Sequence, residues 1–243
     1  MKILPVLGQQ DGVQEYWAEM QKYGVDVDET NPEYIPVLGG DGTFLGAERA
    51  YYKMGVPFVG VGFGHVNFLL NRRTGSPKDF VESLRKKEWV TFPIYGINAE
   101  ITTRHGMEQG IAFNDVYIKS LDPTGVVRLE LTTREYAQLN VVGDGVIVAT
   151  PQGSTAYNRN AGGTILPLGS SLWCLTGICT QKSLRVTVAQ QEIVIAVRSN
   201  DAIVVTDNNV FRDVLAVKIT PSIYEGTICF GTQENFEQKR YES

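Results

Sequence analysis

A short apolar run, Tyr34 to Leu38, leads without a break into Gly39-Gly40-Asp41-Gly42-Thr43, and a helix-forming stretch from Thr43 to Met54 follows, stopped by Gly55. This succession of strand, glycine turn and helix restricts the fold more than any other feature. A buried strand that hands directly to a helix belongs to a parallel sheet with crossover helices. Glycines, lacking Cβ, let a ligand lie against the backbone. The helix start beyond them offers unpaired N–H groups and a partial positive charge, which suits phosphate. No Gly-Lys-Ser/Thr follows, so this is not a Walker A loop, and the spacing is not GxGxxG. A carboxylate such as that of Asp41 is repelled by phosphate unless it holds a metal, orients a hydroxyl or takes its proton. The plainer alternative is a turn residue that caps the helix.

The same alternation runs from residue 1 to 88. Met1–Leu7 reads as a first buried strand, too short and too interrupted for a signal peptide. Val13, Tyr16, Trp17 and Met20 fall at helical spacing, with Gly24 as the stop. Pro57–Val61 is another buried strand. Ser76-Pro77-Lys78-Asp79 is a helix start, with Ser as N-cap, Pro in the first turn and an acid three residues on; Phe80, Val81 and Leu84 supply the buried side. From Trp89 the texture changes. Strand-like segments dominate: 89–104, 111–119, 125–134, 139–150, 185–189, 192–197, 202–206, 214–219 and 227–231. Only Ser154–Asn160 reads as a helix there. The expected fold is a small doubly wound α/β domain followed by a β-sandwich, with a tight boundary near residue 90.

A second glycine-rich block lies about a hundred residues after the first. It runs Gly143-Asp144-Gly145, Val146–Thr150, then Pro151-Gln152-Gly153-Ser154-Thr155-Ala156-Tyr157-Asn158, and closes with Ala161-Gly162-Gly163. A strand, a tight turn, a strand and a helix start bring amides, hydroxyls and an aromatic ring to one place. Between the two blocks sits Asn114-Asp115. An Asn side chain donates and accepts together, as an adenine edge requires, and a carboxylate accepts from vicinal ribose hydroxyls. Taken alone, that pair is equally a turn dipeptide.

Composition narrows the partners. With 43% hydrophobic and 20% charged residues the chain is that of a soluble globular protein. Its net charge of −5 argues against broad nucleic-acid binding, which needs a basic footprint, but not against nucleotides held by backbone amides. No apolar run approaches ~20 residues, so no membrane span is expected. Cys174, Cys179 and Cys229 form no CxxC pair and sit in apolar contexts, which predicts reduced core thiols in a cytoplasmic protein. His65 and His105, the two histidines, have no metal-ligand partner at useful spacing, and no protein-bound metal is expected.

The two blocks together resemble the NAD kinases, specifically over Val37–Phe68 and Phe113–Ile165 and more diffusely elsewhere. The resemblance implies an α/β domain of residues 1–88, to which about 227–243 returns, and a β-sandwich NAD-binding domain of 89–226. It implies Asp41 as the catalytic carboxylate facing the 2′-hydroxyl of the adenosine ribose. Gly40, Gly42, Thr43 and Phe44 join the substrate-binding set. Asn114 and Asp115 hold adenine and ribose, Asp144 faces the nicotinamide half, and Thr155, Ala156 and Tyr157 line the adenosine pocket. NAD as acceptor, ATP or polyphosphate as donor, Mg²⁺ arriving with ATP, and a homodimer or homotetramer are implied as well. Asp207 resembles the acid of a later Asp-Gly turn, although Asn208 stands where Gly is usual.

Three further departures are visible. Gly60–Leu69 resembles the family's Gly-Val-Asn-x-Gly-x-Leu-Gly-Phe-Leu segment, with Asn67 in place of Gly. Gln152 stands where Thr or Ser is common. The stretch Cys179–Leu184 lacks the Pro-His pair often found there, and Lys182 offers a point charge instead. Two other classes stay open: a lipid kinase of the diacylglycerol type, which shares the GGDGT turn, and a non-catalytic NAD(P)-binding sensor.

Overall fold

The first apolar stretch breaks at Pro5, which has no N–H to donate, into β1 (Lys2–Ile3) and β2 (Val6–Leu7). In this computed structural model, residues 1–64, 66–199, 201–231 and 240–241 are described. His65, Asn200 and residues 232–239 and 242–243 of the expected C-terminal return lie outside them. The chain divides into two compact units, Met1–Ile94 with Tyr224–Ser243, and Tyr95–Ile223.

In the first unit the strands are parallel. After β2 come α1 (Val13–Gln21), β3 (Asp26–Val27), β4 (Ile35–Gly39), α2 (Asp41–Tyr51), β5 (Phe58–Gly62) and α3 (Pro77–Lys86). β1 pairs with β3, β2 with β4, β4 with β5, and Phe58 of β5 with Ile228 near the chain's end. Across the sheet the order is thus β3, then β1 and β2, then β4, β5 and residue 228. Alternate residues of β5 face opposite ways. Val59 and Val61 join Tyr16, Met20, Val81 and Leu84 of α1 and α3 in one core cluster. Phe58 turns to the other face and meets Phe44 of α2, with ring centroids 5.9 Å apart. Helices therefore cover both faces, as the alternating pattern predicts. Ser76 caps α3 as expected: its hydroxyl accepts from Asp79 N at 3.3 Å and its own N–H donates to Asp79 Oδ2 at 2.8 Å.

Two boundaries differ from the sequence expectation. Helix α2 starts at Asp41 rather than Thr43, because Gly40 takes the extended N-cap conformation and frees Asp41 and Gly42 for the first turn. Its last turn tightens into a 3₁₀ segment, Tyr52–Met54, before Gly55 at φ +66°.

The second unit is a sandwich of two antiparallel layers. Its strands are β6 (Trp89–Thr103, entering from the first unit), β7 (Gly106–Ala112), β8 (Asp115–Ser120), β9 (Val127–Thr132), β10 (Leu139–Gly143), β11 (Gly145–Ala149), β12 (Leu172–Ile178), β13 (Arg185–Ala189), β14 (Ile193–Val197), β15 (Ala202–Thr206), β16 (Asn209–Phe211) and β17 (Val214–Gly231). One layer has the order β13-β12-β11-β8-β15-β16; the other runs β10-β9-β14-β17-β6-β7. Val116, Val148, Trp173 and Val204 from the first layer pack with Ile97, Leu129, Ile195 and Val217 from the second. β12 and β16 had no counterpart in the sequence reading, and β17 is one strand where two were expected. Among the described residues no helix is long and apolar enough to cross a membrane.

Candidate active site

Each unit carries one group of the residues singled out in the sequence. In the first unit the strand order places the earliest strand beside β4, and α1 and α2 leave these two strands towards opposite faces. A crevice opens at such a reversal, at the carboxyl ends of the strands, and ligands of open α/β sheets bind there. Gly8 to Gln10 follow β2 at that edge, and Gly39 to Asp41 follow β4.

Gly39 leaves no room for a side chain: a Cβ there would lie 2.6 Å from Thr43 Oγ1. Thr43 is thereby seated against the turn. Gly42 is exposed, and the α2 N-terminus has no side-chain cap, so its amides face outward. Phe44 is fully buried beneath α2, which makes its side chain part of the core. The Asp41 carboxylate accepts the Phe68 N–H at Oδ2 and the Leu69 N–H at Oδ1, both at 2.8 Å. The donor loop turns through Asn67 at φ +60°. Asn is among the few residues that tolerate the left-handed region, which accounts for its standing where Gly was expected. It also closes the turn, since its Oδ1 accepts from Gly64 N at 3.1 Å. Sequence reading missed Gln10. Its Nε2 lies 3.3 Å from where a Cβ on Gly40 would stand, and its Oε1 is buried without a hydrogen-bond partner among the described residues.

In the second unit the Asn114-Asp115 pair, the Gly153–Tyr157 block and the Asp144 turn come together. Thr150 ties the first two: its Oγ1 donates to Phe113 O at 2.6 Å, its N–H donates to Asn114 O at 2.9 Å, and its Oγ1 accepts from Gly153 N at 3.0 Å. A Cβ on Gly153 would lie within 2.6 Å of Asn114 Cα, so the block rests directly on the Asn114 backbone. Gly153–Thr155 is a 3₁₀ turn, Ala156 breaks it, and α4 (Tyr157–Asn160) follows, in place of one helix from Ser154. The Asn158 amide braces the loop by donating to Ser154 O and Thr164 O, each at 2.9 Å. Thr155 is buried and Ala156 half-buried. Tyr157 stands edge-on to Tyr117.

The electrostatics are those of a buried acid pair. Asp115 is 5% exposed, and burial, then the charge of Asp207, push its carboxyl up to about 7. Asp207 accepts backbone N–H groups from Phe113, Asn114 and Asp115. Asn114 Oδ1 is buried without a hydrogen-bond partner among the described residues. Burial raises the Tyr157 hydroxyl, and Cys179, Asp144 and Asp115 add to the shift, which puts Asp144 in electrostatic reach of the ring. Asp144 itself is exposed at the β10–β11 turn, its N–H on Ile178 O at 2.9 Å. Cys174 and Cys229 are buried thiols as expected; Cys179 is exposed, because it holds a turn at φ +47° just beyond β12. Among the described residues no three His, Cys, Asp or Glu side chains converge as a metal site would require.

Residues 5–87 match the ATP-NAD kinase N-terminal domain and residues 113–219 the ATP-NAD kinase C-terminal domain. The chain is 31% identical over 227 residues to an NAD kinase of Xanthomonas oryzae pv. oryzae, a match spanning 85% of this chain and 83% of the relative. It is 31% identical over 159 residues to an NAD kinase of Wolinella succinogenes, spanning 65% of this chain and 55% of that one's length. Yeast NADH kinase complexed with NADH superposes with a TM-score of 0.85 at 17% identity, covering 100% of this chain and 86% of its own. An NAD kinase from Archaeoglobus fulgidus in complex with ATP superposes with a TM-score of 0.75 at 22% identity, covering 99% and 98%.

Proposed function

This chain belongs to the NAD kinase family, and we propose that it transfers a phosphoryl group from ATP or polyphosphate to the 2′-hydroxyl of the adenosine ribose of NAD, giving NADP. The observation that carries the reading is Asn114 Oδ1, a buried acceptor without a hydrogen-bond partner among the described residues, one residue before the buried Asp115 carboxyl, which has the Tyr157 ring in electrostatic reach. An adenine amine would satisfy the amide, ribose hydroxyls the carboxyl, and the base face the ring. In this reading Asp144 serves the nicotinamide half.

Phosphoryl transfer asks mainly for positioning and charge stabilisation. The proposed roles follow. Outward amides at the start of α2, with Gly40 and Gly42, take donor phosphates. Asp41 orients the acceptor hydroxyl and takes its proton. The amides of Phe68 and Leu69 hold both of its oxygens in place. A carboxylate is a weak base towards an alcohol, so proton transfer follows phosphorus–oxygen bond formation. A divalent cation would travel with the donor's phosphates and neutralise their charge.

The same reading includes a homodimer or homotetramer in the cytoplasm; all three cysteines being free thiols supports a reducing compartment. The test is NADP formation from NAD with Mg²⁺ and ATP or polyphosphate in turn. Tight NAD binding without turnover on any donor would make the protein a sensor instead. Turnover on diacylglycerol but not on NAD would make it a lipid kinase.

A further inference from the structure

Asp207 holds the turn between β15 and β16 at φ +50°, a conformation that few residues with a Cβ adopt. Its side chain does more than close that turn. Oδ2 accepts the Phe113 N–H at 3.0 Å, and Oδ1 accepts the N–H groups of Asn114 at 2.9 Å and Asp115 at 3.3 Å. In return its own N–H donates to Asp115 O at 3.1 Å. The partners are 92 to 94 residues away in sequence. Three successive amides aimed at one carboxylate form the kind of concavity that proteins use for anions, here filled from within.

The geometry points to Asp207 as a positioning residue: its carboxylate fixes the backbone of Phe113-Asn114-Asp115 so that the Asn114 amide and the Asp115 carboxyl address one nucleoside. The nucleoside part rests on the function proposed above; the clamp itself does not. A charge effect accompanies the clamp. Asp115 is faced by Asp207 from the β15–β16 turn, by Tyr117 on its own strand, and by Tyr157 on α4, which in turn lies near Asp144 and Cys179. Ala149 of β11 stands opposite Asp115, and Thr206 of β15 stands opposite the next residue, Val116; neither titrates. Asp207 is thus the charged group that opposes ionisation of Asp115, and it does so from the position that also aims it.

The test compares Asp207→Asn, which keeps one acceptor oxygen and removes the charge, with Asp207→Ala, which removes both. Two readouts need no ligand. Amide hydrogen exchange at Asn114 and Asp115 should quicken by about tenfold or more in Asp207→Ala, and less in Asp207→Asn. Carboxyl ¹³C NMR should show Asp115 titrating about one pH unit lower in Asp207→Asn than in the parent. Two further readouts use NAD. Its KM at pH 8 should rise about tenfold in Asp207→Ala with kcat within about threefold, the mark of lost binding. The acid limb of kcat/KM should move to lower pH in Asp207→Asn. If exchange and the Asp115 midpoint are unmoved in both variants, the positioning role is overturned. It also falls if both variants lose cooperative melting, since Asp207 is then only structural. If exchange and midpoint shift as expected while the parent fails to bind NAD, the clamp stands and the proposed function fails.

Discussion

The ring of Tyr157 stands edge-on to that of Tyr117, with centroids 5.0 Å apart and planes at 84°. Tyr117 lies two residues along β8 from Asp115, so the contact fixes where the first residue of α4 sits relative to the buried acid. An edge-to-face pair contributes about 0.5–1.5 kcal/mol beyond its area, and stacking a base on an aromatic ring about 1–3 kcal/mol. Tyr157→Ala should therefore raise the KM for NAD by about tenfold or more. Tyr157→Phe, which keeps the ring, should stay within about threefold of the parent. Equal losses in both variants would assign the effect to the hydroxyl instead.

Asp41→Asn tests the proposed proton acceptor. The carboxamide presents one oxygen where two amides now donate, so its NH₂ meets the Phe68 or Leu69 N–H head-on. A stability loss of about 1–3 kcal/mol is expected, read as a lower midpoint in urea. NADP formation should fall by about 10²–10⁴ at temperatures where the variant is folded. Retention of half the turnover would remove Asp41 from the mechanism.

Gly153→Ala probes the close approach of the second block to Asn114. The added Cβ would overlap the Asn114 backbone, which cannot move without breaking the Thr150 bonds to it. We expect a loss of about 1–3 kcal/mol in stability and weaker NAD binding by calorimetry. Gly42→Ala, where nothing lies within 4 Å of the new Cβ, is the control and should fold like the parent.

Asp115 makes stability depend on pH. Its folded value, about 7, lies above the ordinary 3.8, so between these values the native state holds a proton that the unfolded chain has lost. Its contribution falls as pH rises through that window and levels off above it. Asp115→Asn removes this slope. Urea titrations at pH 5 and pH 8 should show the parent losing about 2–4 kcal/mol more than the variant between the two. Parallel behaviour of the two proteins would mean that Asp115 ionises freely.

Asn71 ties the first unit together. Its Nδ2 donates to Gly60 O at 2.9 Å and Cys229 O at 3.0 Å, and its Oδ1 accepts from Gly231 N at 2.7 Å. Asn71→Ala removes these three bonds, leaving Gly60 O only the residue-71 N–H that it already accepts at 3.0 Å, and should cost about 1–3 kcal/mol in urea unfolding. A loss below about 0.5 kcal/mol would show that water replaces the amide.

The sequence was most readable where residue type and local geometry coincide. Tyr34–Leu38, the glycine turn and the helix beyond it announce themselves because each residue suits its own place. The capping box at Ser76 is the same case. β12 was not readable as a strand: Trp173–Ile178 is buried throughout, so it lacks the alternation that marks a half-buried strand. Two strands were expected at 214–219 and 227–231, yet β17 runs through the residues between them, Pro221 and Gly226 included. In the sites, Asp41 and Asp115 stood out as carboxylates in special turns. The reach of Asp207 to Phe113 did not, because it exists only once β15 has paired with β8. Gln10 was equally hidden, since its neighbour Gly40 is set by the parallel pairing of β2 with β4.

The pairing of Phe58 with Ile228 sets the order in which this protein is finished at the ribosome. Chains fold largely as they emerge, earlier domains first. Here the first unit has a vacant sheet edge until residues 224–231 leave the exit tunnel, with Cys229 missing from its core until then. The second unit is an uninterrupted stretch and is complete by Ile223. Synthesis therefore delivers a whole sandwich before a whole α/β unit. More than a hundred residues of translation separate Ile94, where the first unit breaks off, from Tyr224, where it resumes.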